Sequence, residues 1–444
     1  MPTRAQSLRL LAAALAAGPL DDSAALVERA KPLVGDLRKA RWLPSLAETL
    51  SREFGAQPRP TAKTVLDRIA AHPPFIKAWI AGQGRKVPAF VEQRMAPAEG
   101  APRSWPVPPV ATVGDLAGEL GVHPDDLGWL TGYGSAEHYR HCWHEKKSGG
   151  SRLIEMPKGL LKHAQRRVLR KILDVIPPHE AAKGFRRGSS VRDFVESHTG
   201  RHIVVRFDLE DFFPSITSAR VLRVFLTAGY PEPVARALTR LTTHAAPASV
   251  VAERLLPWAG RRRLRTPHLP QGAPTSPALA NLCAFRLDCR LAGLAKAAGA
   301  NYTRYADDLL FSGDEDFARQ VKRFVITAGA VILEEGFQPN HRKTRVMRQG
   351  QKQHAAGIVL NERPNLDRRE FDRLKAILTN CVRHGAESQN REGHADFAAH
   401  LLGTLSWVSF IHPEKGRKLR KIYERIDWEA AAGNLRSSSQ RDDL

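Results

Sequence analysis

Three aspartates stand at positions from which they could bind divalent metal ions. Asp208 ends the apolar run His202–Asp208, and Asp307 and Asp308 lie between apolar flanks much later in the chain. Hard carboxylate oxygens are the ligands that Mg²⁺ prefers, and two such ions about 4 Å apart stabilise the attacking and leaving oxygens of a phosphoryl transfer. An adjacent pair of aspartates is by itself more often a solvated turn, so the assignment depends on the surrounding elements.

The elements around the aspartates are predicted to be short strands. His202–Asp208 is typical of a strand that ends in a carboxylate, and Tyr302–Phe311 is typical of a hairpin with the aspartate pair in its turn. Carboxylates are easily brought together from the ends of adjacent strands, although without metal they repel each other strongly. Further strands are predicted at Ser151–Pro157 and Ala355–Asn361.

The rest of the chain is predicted to be mainly helical. Residues 1–95 are rich in Ala, Leu and charged residues, and the Pro-rich segment that follows them is typical of a semi-rigid linker. Two short helices are predicted within Val113–Leu130 and a basic helix over Leu160–Ile176. The chain becomes helical again from Asp367 to about Trp428.

The charge balance indicates a polyanionic partner. The 444 residues include 68 Lys and Arg against 46 Asp and Glu, a formal net charge of +22. A stable fold does not need this excess, whereas nucleic-acid binding does. Two basic runs contribute to it: Lys162, Arg166, Arg167, Arg170 and Lys171, and Arg261–Arg265. Either run alone is equally consistent with a solvated face, but together with the net charge they favour a channel for a phosphate backbone.

The cysteines and the apolar runs bear on the compartment. Cys142, Cys283, Cys289 and Cys381 form no Cys-x-x-Cys pair and match neither a disulfide framework nor a zinc site, which favours a reducing cytoplasm. No apolar run approaches the roughly 20 residues that span a bilayer, so no membrane partner is expected. Leucines recur at helical spacing near the N-terminus, which favours an amphipathic first helix over a signal peptide.

Three motifs resemble those of reverse transcriptases and follow in the family's order. Tyr305-Ala-Asp-Asp308 resembles the Tyr-x-Asp-Asp box, and Val204–Ile216 resembles the first carboxylate motif. Leu269–Asn281 resembles the nucleotide-pocket motif, which is highly specific. The resemblance implies an α+β fold of the right-hand polymerase kind, with fingers, an antiparallel-sheet palm and a helical thumb after an α-helical N-terminal domain. It also implies an RNA-directed DNA polymerase that uses two Mg²⁺ ions and deoxynucleoside triphosphates.

The resemblance assigns roles to individual residues. Asp208, Asp307 and Asp308 would be catalytic and would hold the metal together with the backbone carbonyl of Leu209. The nucleotide-binding residues would be Arg152, Phe213, Gln271, Gly272 and Lys343. Gln271 and Gly272 would line the pocket around the nucleotide.

Three of these roles have simpler alternatives. Phe213 would be the aromatic gate that excludes a ribose 2′-hydroxyl, but it could also pack in a core beside Phe212. Arg152 would clamp the triphosphate with its planar bidentate donors, but it could also lie in a solvated turn. Lys343 would protonate the leaving pyrophosphate as a general acid, but a simple basic surface is an alternative.

Within the family the chain looks most like the bacterial retron type. Ala181–Ser190 followed by His198 is similar to the retron pattern ahead of the first catalytic aspartate, and Ala355-Ala-Gly357 stands where retrons often carry Val-Thr-Gly. The histidine and the glycine are the parts that match. The retron type implies a structured non-coding RNA as template and primer, a priming 2′-hydroxyl on an internal guanosine, a branched RNA–DNA product, and defence against phage with an accessory effector protein.

Two other function classes remain open. One is an intron-derived or stand-alone defence reverse transcriptase, and the other is a catalytically silent RNA-binding protein of polymerase fold. The intact aspartates and Gln271 speak against the silent protein. The predicted domains are a helical N-terminal domain (1–95), a Pro-rich linker (96–112), fingers and palm (113–365), a helical thumb (366–430) and a flexible tail (431–444).

Overall fold

A computed structural model describes residues 8, 11–12, 14–16, 19–34, 40–56, 60–81, 105–132, 135–146 and 149–428. Its strands are β1 Tyr139–Glu145, β2 Ser151–Pro157, β3 Ile203–Asp208, β4 Asn301–Tyr305, β5 Asp308–Gly313, β6 Arg345–Arg348, β7 His354–Ala355 and β8 Ile358–Val359. Its helices up to the third strand are α1 Ser23–Val34, α2 Trp42–Phe54, α3 Ala62–Ala70, α4 Pro73–Ala81, α5 Val113–Leu120, α6 Pro124–Thr131, α7 Gly159–Val168 and α8 Val191–Val195.

The later helices are α9 Phe212–Ser215, α10 Ser218–Thr227, α11 Glu232–Thr242, α12 Ala248–Ala252, α13 Trp258–Arg265, α14 Ser276–Cys283, α15 Phe285–Ala297, α16 Glu315–Glu334, α17 Arg368–His384, α18 Phe397–Ile411 and α19 Pro413–Tyr423. None of these described helices is both long enough and apolar enough to cross a bilayer. The flexible tail predicted at 431–444 lies outside the described residues, as do 96–104 of the predicted linker.

The chain packs as two compact units. Unit 1 comprises Met1–His179 and Asp211–Arg286, and unit 2 comprises Glu180–Glu210 and Leu287–Leu444. Helices and antiparallel strands occur together in this fold, as the predicted α+β class requires. The functional boundaries of fingers, palm and thumb stay a prediction.

The first part of unit 1 is a cluster of helices with its own core. Leu11 and Leu15 are fully buried in this core, and Leu8 packs against it, as their helical spacing predicts. Leu43, one of several buried leucines of α2, lies in the same cluster. Helix α5 begins with a capping box, in which the Thr112 side chain accepts from the backbone of Asp115 and the Asp115 carboxylate accepts from the backbone of Thr112.

The second part of unit 1 contains the β1–β2 hairpin and the predicted basic helix. The strand predicted at Ser151–Pro157 is confirmed as β2, which pairs antiparallel with β1. Helix α7 continues into a short π-helix, Leu169–Leu173. Within the basic run on these helices, Arg167 donates to the carbonyl of Glu119, and Lys171 forms an ion pair with the Glu119 carboxylate at 2.5 Å. These two residues therefore attach the helix to α5, whereas the remaining three basic side chains are exposed.

Unit 2 is built on a four-stranded antiparallel sheet with strand order β4-β5-β3-β6. The strand predicted at His202–Asp208 and the hairpin predicted at Tyr302–Phe311 are both confirmed. Strand β3 is β-branched and aromatic (Ile-Val-Val-Arg-Phe-Asp), as expected for a strand with partners on both sides. Helix α16 covers the sheet, where Phe324 packs edge-on against Phe311 of β5. Strand β3 is therefore paired on both sides, and α16 covers one face of the sheet.

The prediction of one strand over Ala355–Asn361 is wrong. The segment forms a minimal hairpin, in which the two-residue strands β7 and β8 are joined by Ala356 and Gly357. Both turn residues have positive φ, 48° for Ala356 and 77° for Gly357. This is the pattern of a type I′ turn, whose twist suits a two-residue hairpin. The apolar run was therefore too short a signal to reveal the reversal of the chain.

The helices predicted after Asp367 are confirmed as α17, α18 and α19. Leu378 of α17, Leu405 of α18 and Leu419 of α19 are fully buried in one hydrophobic cluster. The same cluster includes Val204 of β3 and Leu310 of β5. Within unit 2, the C-terminal helices and the sheet therefore share a core.

Two helical glycines give a matched test of the α18–α19 packing. A Cβ on Gly416 of α19 would lie 2.5 Å from the backbone of Ser409, whereas a Cβ on Gly403 of α18 would meet nothing within 4 Å. We expect Gly416→Ala to lower Tm by several degrees because the helices must separate. Gly403→Ala should raise Tm slightly, since alanine is favoured over glycine in a helix by about 0.5–1 kcal/mol. Thermal unfolding of both variants is the measurement, and a Gly416→Ala protein as stable as the wild type would contradict this packing.

Candidate active site

The three predicted catalytic aspartates come together at one end of the unit 2 sheet. Asp208, the last residue of β3, is the register partner of Asp308, the first residue of β5. The backbone N–H of Leu209 donates to the carbonyl of Asp307 at 3.0 Å, which extends the ladder by one step. A third segment joins them, because the N–H of Asn340 donates to the carbonyl of Asp208 at 2.7 Å. Backbone hydrogen bonds therefore fix the positions from which the carboxylates project.

The turn that carries Asp307 is tight and strained. Tyr305 pairs with Asp308, so only Ala306 and Asp307 connect β4 to β5. Ala306 has φ of 56°, which an alanine rarely adopts and which the primed two-residue hairpin turns require. Gly184 packs directly against this turn: a Cβ there would lie 2.9 Å from the backbone nitrogen of Ala306. The segment before the first catalytic motif thus supports the turn, and only glycine allows so close an approach.

A buried ion pair also restrains the turn that carries Asp307. Arg304 and Asp288 are both fully buried, and the guanidinium donates to both carboxylate oxygens at 2.8 and 2.6 Å. The Tyr302 hydroxyl also donates to Asp288, at 2.8 Å. Arg304 Nη1 donates to the carbonyl of Ala306 at 3.2 Å. One charged side chain therefore links α15 to the residue before Asp307.

His198, which the retron resemblance singled out, lies behind the catalytic hairpin. It is fully buried, with Nε2 2.8 Å from the Thr303 hydroxyl and Nδ1 2.7 Å from the Ser312 hydroxyl. The Thr303 hydroxyl donates to the carbonyl of Phe194, so it accepts from His198 Nε2–H, and Nδ1 accepts from Ser312. Burial lowers the His198 pKa to about 3, which keeps the ring neutral. His198 therefore joins β4 to β5 as a neutral bridge.

The electrostatics of the cluster reflect burial first and the crowding of like charges second. Burial raises the pKa of Asp307 to about 6, and the charges of Asp308 and Asp208 add to that shift. Burial also raises the pKa of Asp308, although the neighbouring Arg206 acts in the opposite direction. Arg206 donates to Asp308 Oδ1 from Nε at 2.9 Å and from Nη2 at 2.8 Å. Lys343 Nζ lies 3.1 Å from Asp208 Oδ2.

Two cations thus offset part of the repulsion among three carboxylates. Arg206 was not predicted as a site residue. Its signal was available, since it is a charged residue in an otherwise apolar strand and stands two positions before Asp208, on the same face. Lys343 was predicted to act on pyrophosphate, and the structure places it against Asp208.

The donor set fits hard divalent cations. It consists of three carboxylates, of which Asp307 and Asp308 are partly withdrawn from water and have a raised pKa, and a bound cation would relieve both conditions. Asp208, Asp307 and Asp308 are the residues that could hold such an ion. Leu209, the predicted backbone ligand, forms an antiparallel bridge to Pro339 next to Asp208, and its role stays a prediction.

The other predicted nucleotide-binding residues belong to unit 1. Arg152 is exposed on β2, opposite His144. Phe213 is partly exposed, whereas Phe212 beside it is buried, so Phe212 is the one that packs in the core.

Gln271 and Gly272 pack tightly against β2. The carbonyl of Gln271 accepts from the N–H of Glu155 at 2.9 Å. Gly272 has φ of 135°, and a Cβ there would lie 2.9 Å from the carbonyl oxygen of Glu155. The Pro-Gln-Gly turn is therefore held against the β1–β2 hairpin. Glu155, which was not predicted as a functional residue, is the residue that connects them.

Comparison with known proteins gives matches within a single family. The family model described as "Reverse transcriptase (RNA-dependent DNA polymerase)" matches residues 144–372. The chain is 39% identical to the retron Mx65 reverse transcriptase of Myxococcus xanthus, with 74% of each chain covered. It is 35% identical to the retron Mx162 reverse transcriptase of the same organism, covering 71% of this chain and 67% of the relative. It is 30% identical to the retron Ec86 reverse transcriptase of Escherichia coli, covering 65% of this chain and 81% of the relative.

The chain therefore belongs to the reverse transcriptase family. Within that family it is a bacterial reverse transcriptase of the retron type, an RNA-directed DNA polymerase. The motif order and the partial retron matches at His198 and Gly357 had led to the same assignment.

The raised pKa of Asp307 predicts how stability depends on pH. Because the folded pKa is about 6 against an ordinary value of 3.8, the unfolded chain loses this proton first. Above pH 4 the group therefore makes folding progressively less favourable, and the full penalty is present above pH 6. We expect Asp307→Asn, in chelator at pH 7.5, to raise Tm by about 1–3 °C. The difference in Tm between the variant and the wild type should narrow as the pH falls toward 4.5.

Differential scanning calorimetry across this pH range is the measurement. Asp316→Asn is the matched control, since Asp316 is a highly exposed acid at the start of α16. If the gain in Tm is the same at every pH, or the same in both variants, then the ionised Asp307 side chain does not destabilise the fold.

Proposed function

We propose that this polymerase copies part of its own structured non-coding RNA into DNA and leaves the product joined to that RNA through a 2′-linked branch. The observation that carries the proposal is the cluster of Asp208, Asp307 and Asp308 at the end of β3 and β5. The retron reverse transcriptases to which the chain is similar support the retron-specific part.

Two Mg²⁺ ions are proposed as the cofactors of the cluster. When bound, they would supply charge stabilisation for the attacking and leaving oxygens of nucleotidyl transfer. The role of the protein is to hold three carboxylates at fixed positions with two cationic side chains beside them. Arg206 favours the ionised form of Asp308, and Lys343 lies against Asp208. Lys343 is half-exposed, so it is also free to serve as the proposed general acid for pyrophosphate.

We propose that the deoxynucleoside triphosphate is bound by four residues of unit 1. Arg152 is exposed at the start of β2 and would pair with phosphate oxygens through its planar donors. The partly exposed Phe213 would exclude a ribose 2′-hydroxyl by contact with the sugar. Gln271 and Gly272 would line the pocket, in the turn that is held against β2.

The right-hand layout is proposed on the same basis. The four-stranded sheet would be the palm, the β1–β2 hairpin would belong to the fingers, and α17–α19 would be the thumb. Exposed cations on these last helices would contact the phosphate backbone of the RNA and of its DNA copy; they are Arg368, Arg369, Arg373, Arg417, Lys418, Arg420 and Lys421. Structured RNA would be held by shape and phosphate contacts.

The cellular setting is part of the proposal. Retron membership supports a role in defence against phage together with an accessory effector protein. All four cysteines are free thiols, which suits the reducing cytoplasm.

The test is to purify the protein from cells that carry its native locus and to extract the bound nucleic acid. The wild type should yield a small DNA of fixed length that is joined to RNA. The Asp307→Ala, Asp308→Ala double variant should yield no such DNA. Glu315→Ala, Asp316→Ala is the matched control, because it removes an adjacent acidic pair that is exposed outside the cluster. RNase and DNase sensitivity identifies each strand, and primer extension with Mg²⁺ should fall at least about 100-fold in the catalytic variant alone.

The outcomes separate the candidate functions. DNA joined to RNA in the wild type and the control establishes the proposal. Mg²⁺-dependent extension without a branched product would instead indicate an intron-derived or stand-alone enzyme. Bound RNA with no synthesis in any sample would indicate a silent RNA-binding protein, which the intact aspartate cluster argues against.

A separate prediction concerns Phe213. Replacing it by valine should leave deoxynucleotide incorporation nearly unchanged and should raise incorporation of ribonucleotides about tenfold or more, because the smaller side chain leaves room for the 2′-hydroxyl. The ratio of kcat/KM for the two nucleotides on an RNA template is the measurement. An unchanged ratio would mean that Phe213 does not contact the sugar.

A further inference from the structure

Among the described residues, one group of side chains could hold a metal ion through nitrogen as well as oxygen. It consists of His141 on β1, Glu155 on β2 and His244 after α11, and their ligand atoms all lie within 4.8 Å of one another. All three belong to unit 1, whereas the three catalytic aspartates belong to unit 2. The aspartate cluster does not use these residues.

Two imidazole nitrogens and one carboxylate oxygen come close together in this group, and too few protons lie between them to hydrogen-bond all three atoms. His141 Nε2 lies 2.9 Å from His244 Nε2, and Glu155 Oε1 lies 3.8 Å from the same His244 nitrogen. A single N–H can occupy the space between the two imidazoles. Glu155 Oε1 is completely buried and has no hydrogen-bond donor within reach among the described residues. An unpaired buried carboxylate oxygen is strongly unfavourable, and a cation at this point would satisfy all three atoms.

The residue behind the carboxylate is arranged as in a metal site. His268 Nε2 lies 3.0 Å from Glu155 Oε2, and His268 Nδ1 lies 2.7 Å from the carbonyl of Thr266. This interaction orients the carboxylate and directs Oε1 toward the histidines, as partners behind metal ligands do. Burial lowers the pKa of both His141 and His244, in the latter case to about 3, so both rings are neutral and able to coordinate.

We propose that His141, Glu155 and His244 bind one divalent transition-metal ion, Zn²⁺ in the first instance. Two imidazoles and one carboxylate form an established zinc donor set that leaves a fourth position for solvent. His141 is half-exposed, so water can reach that position. Mg²⁺ is disfavoured here, because it prefers oxygen ligands only.

The ion would fasten the β1–β2 hairpin to the Pro-Gln-Gly turn. His244 and His268 exchange both backbone hydrogen bonds at 2.9 Å, and Glu155 donates from its backbone to Gln271. Coordination would therefore join both strands of the hairpin to the segment that leads into Gln271 and Gly272. The ion would thereby stabilise the turn that is proposed to line the nucleotide pocket.

The test measures metal binding directly in the full-length protein, purified without a polyhistidine tag. After loading with Zn²⁺ and dialysis, we expect about one zinc per chain by mass spectrometry, and added Zn²⁺ should raise Tm of the chelated protein. His141→Gln should reduce zinc to background. His144→Gln makes the same change at an exposed histidine on the same strand and should retain it. Asp307→Asn, Asp308→Asn should also retain it, which separates this site from the catalytic cluster.

Circular dichroism shows whether each variant folds. His141 is partly exposed, so we expect His141→Gln to fold. This variant therefore tests the site even if Glu155→Gln, which changes a buried residue, does not fold. Co²⁺ in place of Zn²⁺ should give the visible absorption of a tetrahedral site in the wild type and lose it in His141→Gln. Zinc at background in the wild type, or equal zinc in the wild type and His141→Gln, overturns the proposal.

Discussion

The candidate active site depends on holding three mutually repelling carboxylates in place. Sheet hydrogen bonds supply most of that restraint: Asp208 and Asp308 are register partners, and the N–H of Leu209 bonds to the carbonyl of Asp307. Because these bonds are made by the backbone, they do not weaken when the side chains repel each other. Arg206 and Lys343 then reduce the repulsion, whereas burial and the charges of Asp308 and Asp208 still raise the pKa of Asp307. The residual charge is what favours a divalent cation at this point.

The buried Arg304–Asp288 pair is best understood through the turn beside it. A buried ion pair contributes little to stability by itself, since desolvation of both groups opposes their attraction. Here Arg304 also bonds to the carbonyl of Ala306, a residue held at positive φ. That backbone geometry persists only when its surroundings fix it. The ion pair therefore contributes conformational specificity at the residue before Asp307, and removal of either partner would leave an unpaired buried charge next to the catalytic turn.

The sequence predicted the elements that carry local signals and missed those that depend on distant partners. The strand ending at Asp208 and the hairpin at Asp307 could be predicted because apolar periodicity and motif order coincide there. Ala355–Asn361 was assigned as one strand because a two-residue hairpin is shorter than any periodic signal. Glu155 and His268 are separated by 113 positions, and nothing local indicates that they meet. The cysteines match no zinc site, and their spacing carries no information about a donor set of His and Glu that only the fold brings together.

The two candidate metal centres follow from the same physical rule and select different ions. In unit 2 the donors are carboxylates alone, and nearby cations moderate their charge, so the site suits a hard ion that is readily exchanged during catalysis. In unit 1 one carboxylate lies within hydrogen-bond distance of His268, and two neutral imidazoles complete the set. That combination favours a transition-metal ion that stays bound. Because the ligand types differ, millimolar Mg²⁺ would not displace the second ion. Chelators that bind transition metals but not Mg²⁺ at working concentrations would therefore remove the ion in unit 1 and leave the ions of the aspartate cluster in place.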